Sequence, residues 1–110
     1  MEARLFGQDE TLHAPHLLDV EVAQVLRRYY LHRELSSRRA EQALDDLAAL
    51  KLERYPHEPL LPRIWQLREN ITAYDAAYVA LAEALNAPLL TCDARLADAP
   101  GTAATIHALP

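Results

Sequence analysis

The stretch that decides the fold is Thr72-Ala73-Tyr74-Asp75-Ala76-Ala77-Tyr78-Val79-Ala80-Leu81-Ala82. Beyond Asp75 it is apolar nearly all round. A helix without a polar face is buried on most sides. The pattern predicts a helix from Thr72 to about Asn86. Pro88 to Cys92 follows as a short apolar run of the kind found in buried strands. A wrapped helix leading into a buried strand is the repeating unit of layered α/β sheets.

Working outward, the remaining segments fit the same plan. Ala94 to Ala97 suits a helical turn, and Thr105 to Leu109 a final strand at an edge. Upstream, a helix starts near Pro59, and Pro62 still fits its first turn. Leu52 to Tyr55 reads as a short strand. Ser36 or Ser37 caps a helix whose Ala40, Ala43, Leu44, Leu47 and Ala48 face inward. His16 to Glu34 is helical, with Leu18, Val22, Val25, Leu26 and Tyr29 on one face. Thr11 to Ala14 is a strand ended by Pro15. The opening, Glu2 to Phe6 before Gly7, reads as the last turn of a helix. Strands separated by helices predict parallel pairing. Ligands then collect beyond the carboxyl ends of the strands.

Composition narrows the classes. The 110 residues suit one domain, with 51% hydrophobic residues and only 2 glycines, so disorder and turn-rich β architectures are excluded. A single cysteine excludes an internal disulfide and any cysteine-based zinc cluster. No apolar run is long enough to span a membrane. No basic-then-apolar leader is visible, which places the chain by default in the cytoplasm. The 16 acids and 11 bases give a net charge of -5, unlike a protein that coats nucleic acid by bulk charge.

Three acids carry the chemical interest. Asp75 lies near the start of the most apolar helix, where a carboxylate is costly without a partner or metal. Thr72 and Asp75 also have capping-box spacing, so a cap remains open. Asp93 directly follows the strand Leu89-Leu90-Thr91-Cys92, where a site is expected, and it also fits an N-cap. Glu21 borders the apolar stripe of its helix, where a surface glutamate is the usual explanation. Together the three match hard cations such as Mg²⁺ or Mn²⁺, which prefer carboxylate oxygens. Two such ions can activate water against a phosphodiester without a side-chain nucleophile. Asp19 reads as solvated or paired. Asp45, Asp46, Glu41, Glu69 and Glu83 read as ordinary surface charges. Trp65 and Ile64 read as core rather than as a base-stacking platform. Cys92 reads as a small core residue. Arg27, Arg28, Arg38 and Arg39 read as solvated charges, with an RNA-guiding role the weaker alternative.

Ala14-Pro15-His16-Leu17-Leu18-Asp19-Val20-Glu21-Val22-Ala23-Gln24-Val25-Leu26 resembles the segment of the PIN-domain family that carries its helical acid. Thr72 to Ala82 resembles that family's next acid motif, and Leu89-Leu90-Thr91-Cys92-Asp93-Ala94-Arg95-Leu96 its last. The VapC-like toxins of bacterial toxin–antitoxin pairs are the most similar subgroup. The resemblance implies a helix-rich three-layer α/β/α sandwich with a short parallel sheet, as a single domain over residues 1–110. It implies a Mg²⁺- or Mn²⁺-dependent endoribonuclease acting on RNA, commonly tRNA or rRNA. It also implies a homodimer and a VapB-type antitoxin partner. Carried over, Glu21, Asp75 and Asp93 are the catalytic, metal-binding acids, and Thr72 is a supporting polar residue beside them.

The chain departs from the family at its start. The family opens with a central strand ending in an Asp, and here that strand and its Asp are expected to be missing. Asp9 lies in a turn and does not replace it. An N-terminal truncation of this kind would expose ladder groups. An upstream start codon explains it best, ahead of a degraded remnant or a strand supplied by a partner. The alternatives to a ribonuclease are an inactive binding module that dimerises or holds an antitoxin, and a helix-rich domain whose acids are only caps.

Overall fold

The computed structural model describes residues 3–6, 12–91 and 94–108. Five short strands form one sheet in the order β3-β2-β1-β4-β5. They are β1 (Ala3–Phe6), β2 (Leu12–Pro15), β3 (Leu52–Tyr55), β4 (Leu89–Thr91) and β5 (Ile106–Ala108). The helices are α1 (Leu17–Leu31), α2 (Ser37–Ala49), α3 (Leu61–Gln66), α4 (Ala73–Leu85) and α5 (Ala94–Ala97), and a 3-10 turn, Glu58–Leu60, leads into α3. No helix among the described residues is long and apolar enough to cross a membrane.

The parallel pairing expected from the strand–helix alternation holds on both flanks. β2 runs parallel to β3, with Leu12 opposite Leu52 and Pro15 opposite Tyr55. β4 runs parallel to β5, with Leu89 opposite Ile106. β5 lies at an edge, as its position in the sequence suggested.

The centre of the sheet corrects two expectations. Ala3–Phe6 is a strand and not the end of a helix, and the central position is filled rather than missing. β1 is antiparallel to both neighbours, pairing Leu5 with His13 and Arg4 with Leu90. The reason is the ladder. Facing edges of β2 and β4 would leave rows of unpaired N–H and C=O groups, which are expensive to bury. An antiparallel partner for β2 needs only a short connection, whereas a parallel one needs a long crossover. Local helix propensity is weak over four residues, and the non-local pairing wins.

The contacts divide into two compact units, Leu17–Lys51 and the described residues of Glu2–His16 with Leu52–Pro110. In the larger unit, α4 packs on β1, β2 and β4 and against α3. Ala76 to Ala82 are all buried. The alanines let backbones approach closely, while Val79 and Leu81 each contribute about 1.5–3 kcal/mol by burial. Asn86 ends α4 in the left-handed region (φ 50, ψ 44), its N–H donating to the carbonyls of Ala82 and Glu83. Asparagine tolerates that conformation better than most residues.

An ion pair ties α3 to α4, and both of its partners also bond the segment before β5. Arg63 Nε donates to Glu83 Oε1 at 2.7 Å and Nη2 to Oε2 at 3.0 Å. The Ala103 N–H donates to Glu83 Oε2 at 2.6 Å, and Arg63 Nη2 donates to the Gly101 carbonyl at 2.7 Å. Glu83 is therefore a structural anchor and not an ordinary surface charge. The hydrogen bond from Arg63 holds its carboxyl below the usual carboxylate range, against the opposing effect of burial.

The smaller unit is a helical hairpin. α1 ends through Arg33 at φ 60, with the N–H groups of Arg33 and Glu34 donating to Tyr30 and Tyr29. Ser36 caps α2 by accepting from the Arg39 N–H at 3.1 Å. The inward face expected for α2 is only half realised. Ala40, Ala43 and Leu47 are half-buried, but Leu44 and Ala48 are exposed. In α1, Leu18 is buried while Tyr29 is exposed. Amphipathic spacing selects a face, but it does not say what covers that face.

Candidate active site

Thr72 sits just before α4 in extended conformation, and its Oγ1 accepts the Asp75 N–H at 3.1 Å. The cap foreseen in the sequence is therefore formed. The bond is made by the backbone N–H of Asp75. Asp75 is half-buried, one residue before the buried run that begins at Ala76. The positive end of the helix dipole favours a carboxylate at this position.

Asp75 and Thr72 line a cleft of about 630 Å³, together with Arg68, Glu69, Arg95 and Asp98. Three carboxylates and two guanidinium groups thus share one concavity. Such mixed charge suits a phosphate held beside a cation-binding acid, with arginine countering the phosphate oxygens. Arg68 is held in place from below. Its guanidinium carbon lies 4.6 Å from the centre of the Trp65 ring, and Nη1 donates to the Trp65 carbonyl at 2.9 Å.

The structure places the sequence-derived acids unequally. Asp75 and its supporting Thr72 stand together in the cleft. Glu21 is half-buried on α1, in the helical hairpin unit. Asp19, two residues earlier, is also half-buried, and its Oδ1 is closed to solvent. Asp93 and Cys92 lie outside the described residues, as do Gly7 and Asp9. Among the described residues, no three acid, histidine or cysteine side chains stand close enough together to hold a metal ion. Asp75 and Asp98 provide hard oxygen donors in the cleft, the chemistry that Mg²⁺ and Mn²⁺ prefer.

Several residues of the cleft were not singled out by sequence reasoning. Arg95 and Asp98 follow Asp93 by two and five positions and are one helical turn apart from each other. That spacing, with Arg95 on the short helix after a strand and Asp98 just past its end, was the available signal. Arg68 and Glu69 lie on the segment leading to Thr72. They carried no signal, because their approach to α5 is a product of the fold. Trp65 reverses its reading: it is 66% exposed, while neighbouring Ile64 is buried as expected. The histidines stay outside this site. His13 Nδ1 lies 2.7 Å from the Tyr55 hydroxyl, and His16 meets the His57 ring edge-on at 6.2 Å.

Comparison with known proteins agrees with this architecture. The PIN domain family matches residues 2–101. Ribonuclease VapC1 of Mycobacterium tuberculosis is 59% identical over 90 residues, covering 81% of this chain and 68% of that protein. Ribonuclease VapC9 of the same organism is 44% identical over 109 residues, covering 99% of this chain and 86% of its own length. Ribonuclease VapC12, also of M. tuberculosis, is 41% identical over 98 residues, covering 89% and 76%. A family match across nearly the whole chain, with relatives this similar, makes this chain a member of the PIN domain family.

Proposed function

We propose that this chain is an endoribonuclease of the VapC type, the toxin of a toxin–antitoxin pair, cleaving RNA phosphodiester bonds with the help of Mg²⁺ or Mn²⁺. The observation that carries the reading is Asp75: a half-buried carboxylate in the first turn of α4, whose N–H is bound by Thr72, in a cleft shared with two arginines. The similarity to ribonucleases over up to 99% of the chain supports it.

In this reading Glu21, Asp75 and Asp93 are the metal-binding acids. Arg95 and Leu96, two and three residues after Asp93, line the cleft that holds Asp75, which supports the inclusion of Asp93. A bound divalent ion would supply an activated water and charge stabilisation at the leaving oxygen. Thr72 fixes the first turn of α4 and so the direction from which Asp75 enters the cleft. Arg68 and Arg95 draw the phosphate in and offset its charge. Cleavage needs no side-chain nucleophile.

Residues 1–110 act as one domain in this proposal, since the family match spans both compact units. A VapB-type antitoxin, a tRNA or rRNA substrate, a homodimer and a cytoplasmic setting belong to the same reading. Exposed Val20, Tyr30, Leu31 and Leu50 on and beside the hairpin helices support a surface that a protein partner covers. One feature favours a second reading, an inactive binding module: β1, at the centre of the sheet, contains no acid.

Incubation with total bacterial RNA separates the two. The ribonuclease reading expects fragments with Mn²⁺, none with chelator, and none from Glu21→Gln or Asp93→Asn proteins that remain folded by circular dichroism. A folded wild-type chain that cuts nothing, yet binds antitoxin tightly, would establish the binding module instead.

A further inference from the structure

Trp65 and Arg68 form a stacked pair at the edge of the cleft, and the proposed cleavage chemistry does not use it. Trp65 lies on α3 beside Ile64, which is buried with nearby Leu67, yet Trp65 itself is 66% exposed. The guanidinium of Arg68 lies over that ring at 4.6 Å and is tethered by its bond to the Trp65 carbonyl. Arg68 also lines the cleft that contains Asp75. The aromatic–guanidinium stack is thus continuous with the wall that carries the candidate catalytic carboxylate.

We propose that Trp65 and Arg68 form a stacking subsite for a nucleobase of single-stranded RNA, next to the phosphate that is cleaved. The inference rests on the ribonuclease reading above and adds where the strand lies. Indole and guanidinium are both flat and polarisable, and either exposed face can take a base. Every base has a π-face, so such a site holds a strand without reading its sequence. The arginine adds attraction for the backbone, and its tether to Trp65 reduces the ordering needed on binding. A protein partner would use the surface differently. It would cover Leu61, exposed one turn before Trp65 on the same helix, and would not need the cation.

Trp65 is the sole tryptophan of the chain, so its fluorescence reports directly on the subsite. The full chain is titrated with a short single-stranded 2′-O-methyl RNA of mixed sequence, and cleavage kinetics are measured on the unmodified RNA. Saturable quenching of Trp65 is expected. Trp65→Ala should raise Kd and KM about tenfold with kcat largely kept, as loss of one stacked base does. Trp65→Phe should recover most of the affinity, Arg68→Ala should weaken binding to a similar degree, and Leu61→Ala should not. Trp65 and Arg68 are exposed, so these variants are expected to fold, and circular dichroism checks it.

Binding without quenching, or with Kd unchanged in Trp65→Ala, overturns the subsite, as does a wild-type chain that binds no RNA. A fall in sedimentation mass in Trp65→Ala and Leu61→Ala, with RNA affinity intact, overturns it in favour of a protein contact. The two readings fail separately. A chain that cuts RNA with unchanged KM in Trp65→Ala loses the subsite and keeps the ribonuclease. A chain that binds RNA with quenching but never cuts loses the ribonuclease and keeps the subsite.

Discussion

α2 and α4 are both 13 residues long, and each is capped by a hydroxyl that accepts the N–H three residues on, at 3.1 Å. In burial they are opposites. α4 has seven consecutive buried residues and α2 has none. Capping is therefore a local property, settled by one Ser or Thr and the start of a helix. Burial is settled by what the rest of the chain brings. The contrast bears on function, because an acid beside a fully wrapped helix must be accommodated by its surroundings. Asp45 and Asp46, exposed on α2, are simply solvated or paired along the helix, as Asp46 is with Gln42 at 3.1 Å.

Truncating the apolar side chains tests the contrast most severely. Leu81 on α4 is 2% exposed and Leu44 on α2 is 40% exposed. Leu81→Ala should cost about 2–5 kcal/mol in urea unfolding, the usual penalty for a core cavity. Leu44→Ala should cost under about 1 kcal/mol, because it leaves no enclosed cavity. Equal losses would mean that α2 is buried in solution.

Glu83, on the less buried side of α4, is the next probe. Its carboxyl is held below the ordinary range, first by the hydrogen bond from Arg63. A lowered folded-state pKa gives stability that is complete above the unfolded carboxylate value and lost as pH falls through the folded one. The urea midpoint should therefore decline in acid, and Glu83→Gln should decline less. At neutral pH that substitution should cost about 1–2 kcal/mol, a charged hydrogen-bond loss discounted for the partial exposure of Arg63. An identical acid profile in the variant would remove Glu83 from the list of anchors.

The caps give the smallest and most nearly equal effect. Thr72→Ala and Ser36→Ala should each cost about 1 kcal/mol despite the unequal burial of their helices. A much larger loss at Thr72 would mean that its side chain supports more than the first turn.

The same contrast explains what the sequence made legible. α4 was readable in both extent and burial, because an apolar run without a polar face has one solution. The expected span, Thr72 to about Asn86, became cap, helix and left-handed terminus in that order. β3 fell on Leu52–Tyr55 as read. β1 was not readable: four residues hold too little pattern to oppose the ladder offered by β2 and β4. Asp75 stood out because its neighbours are apolar. Arg68, Arg95 and Asp98 did not, because ordinary-looking charges acquire a role only when separate segments meet around a cleft. Trp65 was misread by assuming that a large aromatic side chain is buried, and nothing in its local spacing corrected the assumption.

The most direct test of the central claim is to measure RNA cleavage and unfolding free energy together on Asp75→Asn. The claim is that Asp75 acts in the cleft and does not merely support its helix. Asparagine keeps the shape and the backbone bond to Thr72 while removing the charge. Cleavage should fall at least about 100-fold, the scale on which loss of a metal-orienting group is felt, while stability changes by no more than about 1 kcal/mol. Full cleavage alongside reduced stability would contradict the claim and return Asp75 to the role of a cap.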